Sequence, residues 1–359
     1  MDTPHKHSII ARDGVIELNG QLYLQQQDRA QSELQHLSGE KTIAPEVIRR
    51  FNQNVDLSAA YCKSAGLPYL HVVYPSKAMA FREDFAAAGV NLVGIFSDAH
   101  RRDEVIYPLE QLVGPDDFET YGSHCSDPGY LKIAQIMFRT IGIPIDAYRP
   151  IVTAQPRNSD LSNMRGMPAQ NVPTIREFEG LKAKVRQFTN VQMLPGNRGI
   201  VQYTLNERAP VQKRVLLFGD SYFAGTVPII APLFQEVLYL RSPYVMEDVA
   251  RVLEPDIILT SNTERYLVNV PDKLYDTPYF VRFMQKGVDA SKLNLRNREA
   301  LFAVFAGRES AEFKAWRSQP RLGRAGAKGG AKGRLKGLLG RGKGAGPKGK
   351  GRKGQNKAD

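Results

Sequence analysis

Apolar and polar positions along the chain form short apolar runs, separated by stretches that place apolar residues at helical spacing. The runs, rich in Val, Leu, Ile and Tyr, predict buried strands, and the helical spacing predicts helices between them. The predicted strands are 68–75, 91–96, 214–220, 236–241 and 256–262, and the predicted helices are 127–142, 226–235, 244–254 and 300–319. Asp127 and Pro128 fit the N-cap and first helical position of the helix over 127–142.

The elements over 214–262 follow the order strand, helix, strand, helix, strand. This order predicts parallel strands joined by right-handed crossovers, and therefore an α/β fold with a mostly parallel central sheet. Residues 151–213 are richer in Pro, Asn and Arg and show fewer clear elements. We therefore expect them to form an insertion or a rim on one domain that spans 1–318.

Charge is distributed unevenly along the 359 residues, whose net charge is +12. Residues 319–359 contain 13 Lys and Arg but one acid, Asp359, so the rest of the chain is neutral. This Gly/Lys/Arg-rich tail has little to bury and is predicted to be disordered. It is either a solubilising extension or an electrostatic anchor for nucleic acid, an acidic glycan or an anionic membrane surface. The neutral body argues against nucleic acid as the primary partner.

The sequence lacks the signals that are typical of several classes of protein. No run of about 18 apolar residues predicts a membrane span, and the start of the chain lacks the apolar core of a secretory signal. The sequence as given is therefore expected to be cytoplasmic. Cys62 and Cys125 are too few for a disulfide framework and lie in no metal-ligand spacing. No glycine-rich phosphate loop indicates a nucleotide or coenzyme A site, so together with the missing metal-ligand spacing we expect neither a metal nor a cofactor.

The strand over 214–220 ends in an unusual trio, Gly219, Asp220 and Ser221, within RVLLFGDSYFAG (214–225). In an open parallel sheet, ligands bind beyond the carboxyl ends of the strands. A helix that starts there offers free backbone N–H groups to an oxyanion. The trio therefore has two interpretations: Asp220 or Ser221 caps the next helix, or Ser221 is a nucleophile.

A nucleophilic serine needs a base, and His124 is the histidine best placed to supply one. It lies in a loop just before the helix over 127–142, although an exposed loop histidine would look the same. His71 lies inside a predicted strand and is expected to be a core residue. The remaining histidines are expected in a frayed terminus or in exposed polar stretches; they are His5, His7, His36 and His100.

Five stretches, in consistent order over most of 10–275, carry a resemblance to one known family. They are ARDGVIELNGQLYL (11–24), LPYLHVVYPSKAMAF (67–81), YGSHCSDPGYLKIAQIM (121–137), RVLLFGDSYFAG (214–225) and LEPDIILTSNTERYLVNVP (253–271). Together they resemble the SGNH-hydrolase-like acyltransferases of the alginate O-acetyltransferase type. The resemblance implies an SGNH-like (flavodoxin-like) three-layer sandwich. It also implies that Ser221 is the nucleophile, that His124 is the general base and that the Ser221 N–H contributes to an oxyanion hole.

The resemblance adds two candidate substrate-binding residues and exposes one departure. Lys77 and Arg265 match recurrent positions, although Arg265 also fits a structural pair with Glu264, which we favour. The Asp-x-His of the family reads Gly122-Ser123-His124 here, so the carboxylate that orients the base is missing. The candidates to replace it are Asp127, Asp98 and Asp220.

These residues favour an enzyme that transfers an acyl group, expected to be acetyl, to a polysaccharide hydroxyl. The missing carboxylate leaves alternatives: a Ser–His dyad, a carbohydrate esterase, or a catalytically inactive glycan-binding or assembly protein. The expected partner is a polysaccharide or glycan precursor, and the acyl donor is unassigned. The resemblance implies a periplasmic protein, in contrast to the cytoplasmic expectation from the sequence as given.

Overall fold

A mostly parallel sheet forms the centre of the computed structural model, which describes residues 9–28, 31–112, 114–197, 199–273, 278–279 and 287–319. The strands in these residues are β1 (Ile10–Arg12), β2 (Val15–Leu18), β3 (Gln21–Leu24), β4 (Gln26–Asp28), β5 (Gln31–Ser32), β6 (Tyr69–Tyr74), β7 (Val105–Ile106), β8 (Pro150–Arg157), β9 (Gln170–Phe178), β10 (Arg186–Thr189), β11 (Val201–Leu205), β12 (Val211–Phe218), β13 (Phe234–Leu240) and β14 (Ile257–Thr263). The helices are α1 (Glu33–Leu37), α2 (Pro45–Ser64), α3 (Lys77–Ala80), α4 (Arg82–Ala87), α5 (Asp127–Thr140), α6 (Asp160–Met164), α7 (Ser221–Ile230), α8 (Glu247–Leu253), α9 (Leu295–Phe305) and α10 (Ala311–Ser318).

The described part of the central sheet has the strand order β10-β11-β13-β12-β14-β6-β7. Strands β13, β12, β14, β6 and β7 run parallel, whereas β11 is antiparallel to both β13 and β10. The segment β12-α7-β13-α8-β14 therefore forms the parallel unit predicted for 214–262. The prediction of an α/β fold with a mostly parallel sheet is confirmed.

Helices cover both faces of this sheet, which makes a three-layer sandwich. On β12, Val215 and Leu217 face one core with α5 and α7, whereas Leu216 and Phe218 face a second core with α8, α9 and α10. All four side chains are fully buried. Burial on both faces explains why the strand reads as a continuous apolar run rather than as an alternating one.

Several predicted elements have different bounds or a different form. Helix α7 begins at Ser221, five residues before the predicted start at 226, and runs through Pro228. Helix α5 is capped by Ser126, whose Oγ accepts from Gly129 N at 3.1 Å, so Asp127 is not the N-cap. The predicted helix over 300–319 is two helices, α9 and α10, separated at Gly307, where φ is +94°.

Residues 91–96 were predicted as a strand but form a loop, and this prediction was wrong. The side chains of Leu92 and Ile95 are buried, which accounts for the apolar run. Their backbone is bound by other groups: Ile95 N and Phe96 N donate to the Glu264 carboxylate at 2.8 and 3.2 Å. Because a carboxylate takes these donors, the segment does not pair with a strand.

The segment 151–213 supplies two different structures. Strands β8 and β9 form a hairpin that pairs only with itself among the described strands, and α6 lies in its connection. Strands β10 and β11 instead extend the central sheet. The basic segment from 320 onward lies outside the described residues, so its disorder and the domain boundary near 318 stay predictions. Within the described residues, no helix is both long and apolar enough to cross a bilayer.

Candidate active site

Ser221 lies at the carboxyl end of β12, where α7 begins. The Asp220 carboxylate caps the helix, with Oδ1 accepting from Tyr222 N at 2.9 Å. As the first residue of α7, Ser221 has an amide N–H without an intrahelical acceptor, and the positive end of the helix dipole adds to it. The N–H is therefore available to an oxyanion formed beside the serine hydroxyl.

Gly219 is required because two neighbouring side chains fill the space that a Cβ would need. A Cβ at this position would lie 2.1 Å from the Oγ of Ser261 on β14 and 2.9 Å from Cδ2 of Phe223. No other residue fits without moving one of these groups. The side chains of Ser261 and Phe223 thus explain why a glycine stands between β12 and Asp220.

His124 lies beside Ser221, with its Nε2 3.0 Å from the serine Oγ. The two residues are 97 positions apart in the chain, and the loop before α5 brings the histidine to the end of β12. Tyr222 holds the loop: its hydroxyl donates to Ser123 O at 2.5 Å, and its ring centroid lies 4.9 Å from that of His124. The buried Tyr222 side chain therefore helps to hold the His124 ring beside Ser221.

The other ring nitrogen of His124 faces a carboxylate that the sequence analysis did not name. Asp160 Oδ2 lies 3.3 Å from His124 Nδ1. Asp160 also accepts from Ser123, through the backbone N at 2.8 Å and through Oγ at 2.5 Å. With a proton on Nδ1 directed at Asp160, Nε2 is left to accept the proton of the Ser221 hydroxyl. The three residues form the arrangement of a Ser-His-Asp triad.

The pKa of Asp160 reflects these contacts. Burial would raise the pKa of this carboxyl, but the hydrogen bonds and charge of His124, together with the two Ser123 donors, outweigh burial and lower the pKa below its usual value. The side chain nevertheless keeps 39% of its surface exposed, so solvent screens the interaction in part. Asp160 is ionised at neutral pH and can stabilise a protonated His124.

The carboxylates proposed from the sequence have other partners. Asp127 is buried and contacts Arg157 at 3.1 Å and Ile175 N at 2.8 Å. Asp98 is 93% exposed and pairs with Arg101. Asp220 caps α7, and its Oδ2 accepts from Thr263 N and Oγ1, both at 2.7 Å. The structure therefore places Asp160 at the His124 ring in place of these three.

Gly122, the position of the missing carboxylate, has no room for a side chain. A Cβ there would lie 2.3 Å from Glu119 Oε2 and 3.0 Å from the Cβ of Ser159. Ser159 immediately precedes Asp160. The Glu119 side chain and the residue next to Asp160 thus occupy the space that a carboxylate at 122 would need.

Lys77, predicted to bind substrate, is buried and bonded to the backbone. Its Nζ donates to four carbonyl oxygens, those of Leu22 at 2.9 Å, Glu119 at 2.6 Å, Thr120 at 3.0 Å and Gly122 at 3.2 Å. Burial lowers the pKa of Lys77 to about 7, although the negative charges of Glu119 and Asp160 act in the opposite direction. The ammonium group joins β3 to the loop that carries His124.

Arg265 and Glu264 do not form the ion pair that we favoured. Glu264 accepts from Ser76 N at 2.9 Å and from the loop backbone at Ile95 and Phe96. The Arg265 guanidinium is buried over the Tyr222 ring, 5.6 Å from its centroid, and donates to Ser123 Oγ at 3.3 Å. Ser123 Oγ has one proton of its own, so accepting from Arg265 leaves that proton for Asp160.

The other described histidines have structural environments. His71 is buried as predicted, with Nδ1 2.7 Å from Thr260 Oγ1, and burial lowers its pKa to about 3. His100 was expected to be exposed, but it is buried beside Phe51 and Phe96. His36 contacts Lys41 O at the surface, whereas His5 and His7 lie outside the described residues. Among the residues that the structure describes, no group of three or more His, Cys, Asp and Glu side chains is arranged to hold a metal ion.

Comparison with known proteins gives structural similarity only. No protein-family model and no curated protein matches the chain. The structure of Bacillus cereus PatB1 with a sulfonyl adduct has a TM-score of 0.50 at 15% identity, covering 74% of this chain and 99% of that one. A DHHW family protein from Eubacterium siraeum has a TM-score of 0.49 at 12% identity, covering 73% and 94%. The O-acetyltransferase domain of Pseudomonas putida AlgJ has a TM-score of 0.40 at 14% identity, covering 76% and 98%. The chain shares the α/β sandwich fold of PatB1.

Proposed function

We propose that the protein forms an acyl-enzyme on Ser221 and transfers the acyl group, an acetyl group, to a hydroxyl of a glycan. The observation that carries this proposal is the contact of His124 with Ser221 at 3.0 Å on one ring nitrogen and with Asp160 at 3.3 Å on the other. A serine hydroxyl becomes an effective nucleophile when a base accepts its proton and a carboxylate stabilises the protonated base.

The reaction follows from this arrangement in two halves. Ser221 Oγ attacks the carbonyl carbon of an acetyl ester as its proton moves to His124 Nε2. The oxyanion accepts from the Ser221 N–H at the start of α7. His124 then gives its proton to the departing alcohol, which leaves an acetyl-serine. In the second half an acceptor hydroxyl attacks the acetyl-serine, gives its proton to His124 and receives the acetyl group, and Ser221 regains its proton.

The identity of the acyl group and of the acceptor rests on the sequence resemblance. The five stretches over 11–271 resemble acyltransferases that acetylate a polysaccharide, and Ser221 and His124 lie in two of them. Asp160 offers a carboxylate at the His124 ring, and the absence of a carboxylate from position 122 was the reason for keeping an inactive glycan-binding protein as an alternative. An active enzyme therefore agrees better with the geometry than an inactive one.

The test uses a fluorophosphonate probe, an acetyl ester and an oligosaccharide acceptor. We expect the probe to label wild type and Ser64→Ala, an exposed-helix control, whereas Ser221→Ala abolishes labelling and ester turnover. Mass spectrometry should find an acetyl group on Ser221 and then on the acceptor. Free acetate without an acetylated acceptor identifies an esterase. Unchanged turnover in Ser221→Ala, or no adduct in wild type, refutes the acyl-enzyme.

A further inference from the structure

Asp160 reaches the candidate site on a segment that the central sheet does not hold. It opens α6, in the connection between β8 and β9, and those strands pair only with each other among the described strands. Ser221 and His124 are instead positioned by β12 and by the loop before α5. The distance between Asp160 and the His124 ring therefore depends on the contacts that hold the hairpin to that loop.

Arg157 makes two of these contacts at once. It is the last residue of β8, three positions before Asp160. Its Nη1 donates to Glu119 Oε1 at 3.0 Å and its Nη2 to Asp127 Oδ1 at 3.1 Å. Glu119 and Asp127 stand on either side of His124 in the sequence, so one guanidinium joins the hairpin to both flanks of the His124 loop.

Both carboxylates are buried, so loss of the Arg157 charge is costly for each of them. The exposed fraction of the side chain is 7% for Glu119 and 4% for Asp127, whereas that of Arg157 is 29%. Asp127 also accepts from Ile175 N at 2.8 Å and contacts Arg176 at 3.4 Å, but Arg176 is 57% exposed and contributes less. Without Arg157, the buried Glu119 carboxylate would lose its ion-pair partner, and movement of the loop or hairpin would be needed to hydrate it.

We propose that Arg157 is a positioning residue, which fixes the β8–β9 hairpin against the His124 loop so that Asp160 meets the His124 ring. The proposal rests on the proposed function for its kinetic consequence, but its structural content is independent of catalysis. Arg157 suits this role because a planar guanidinium can bind two carboxylates in fixed directions, which a lysine ammonium cannot do as well.

The experiment compares Arg157→Gln with Arg176→Gln, a matched control that removes the other arginine on Asp127. The first readout is the NMR signal of the His124 Nδ1 proton, assigned as the signal that Asp160→Asn removes. We expect the signal in wild type and Arg176→Gln and its loss in Arg157→Gln. The second readout is turnover of the acetyl ester. Arg157→Gln should lower kcat on the order of 100-fold with little change in KM, because a small displacement of a catalytic group has effects of that size.

Arg157→Lys keeps the charge and serves as the second variant if Arg157→Gln does not fold; it should give an intermediate signal and an intermediate kcat. The proposal is overturned if the folded Arg157 variants keep both the Nδ1 signal and kcat, or if Arg176→Gln loses them equally. If Ser221→Ala leaves turnover unchanged, the acyl-enzyme fails, but the Nδ1 signal still decides the role of Arg157.

Discussion

Replacing Asp160 by Asn tests the member of the candidate triad that the sequence did not reveal. The change removes the negative charge 3.3 Å from His124 Nδ1 while nearly preserving the shape of the side chain. The amide also presents a donor where the imidazole Nδ1 proton needs an acceptor, which favours the tautomer with its proton on Nε2. That tautomer cannot accept the proton of Ser221. We therefore expect kcat to fall.

The size of the fall follows from the exposure of the pair. Two unit charges about 4 Å apart attract each other by about 1 kcal/mol in water and about 4 kcal/mol at an effective dielectric constant near 20. Asp160 is 39% exposed and His124 24% exposed, so this pair lies between the two limits. A loss of roughly 2–3 kcal/mol corresponds to a fall in kcat of about 30- to 200-fold. In a serine protease, where the triad aspartate is buried, the same Asp-to-Asn change lowers kcat by about 10⁴-fold.

The assay is steady-state hydrolysis of an acetyl ester together with the rate of fluorophosphonate labelling of Ser221. Both rates should fall in Asp160→Asn. Asp98→Asn is the control, because Asp98 is 93% exposed and pairs with Arg101 at the surface. If kcat of Asp160→Asn stays within about threefold of wild type while Ser221 remains essential, the enzyme works as a Ser–His dyad and the electrostatic reasoning is wrong.

Three further predictions concern pH and stability. The pKa of Asp160 is lower in the folded protein than the value of about 3.9 for an unfolded aspartate. The contribution of Asp160 to stability is therefore complete above about pH 4 and is lost as the pH falls through the folded pKa. The difference in Tm between wild type and Asp160→Asn should therefore shrink below about pH 4, and a difference that grows in acid would contradict the direction of the shift. Gly219→Ala should destabilise the fold by about 1–3 kcal/mol, because the new Cβ would lie 2.1 Å from Ser261 Oγ. In urea unfolding, the double variant with Ser261→Ala should regain part of the lost stability. If it regains none, the strain lies elsewhere. Lys77→Met should lower the free energy of unfolding by about 1–3 kcal/mol, since it removes the ammonium donor from buried carbonyls of β3 and the His124 loop. An unchanged urea unfolding curve would show that other donors replace the ammonium group.

The strands of the central sheet were predictable where a buried apolar run is also a run of backbone that pairs with neighbouring strands. Strands β6, β12 and β14 are buried on both faces, so their runs of Val, Leu and Ile mark them directly. The same kind of run over 91–96 misled, because Leu92 and Ile95 are buried in a loop whose N–H groups go to the Leu37 carbonyl and to the Glu264 carboxylate. An apolar pattern indicates which side chains leave water, but not where the backbone hydrogen bonds go.

The candidate site was predictable only for residues tied to local signals. Ser221 follows a strong strand and His124 precedes a capped helix, and the structure brings them together at 3.0 Å. Asp160 has no such signal, because its contacts with Ser123 span 37 positions and depend on how a separate hairpin docks. Tyr222 and Ser123 were missed for the same reason. They contact each other across 99 positions of the chain, and a local pattern does not show such a contact.

The route by which Asp160 reaches the site affects how related sequences should be sorted. A search for an aspartate two positions before the histidine would class this chain as inactive, because Gly122 stands there. The carboxylate at the histidine ring instead comes from a hairpin outside the central sheet, which contacts the loop of the base through Arg157. A carboxylate beside the base therefore need not come from the position that the motif specifies. Activity within such a group is better judged from the space around the histidine ring than from a linear motif.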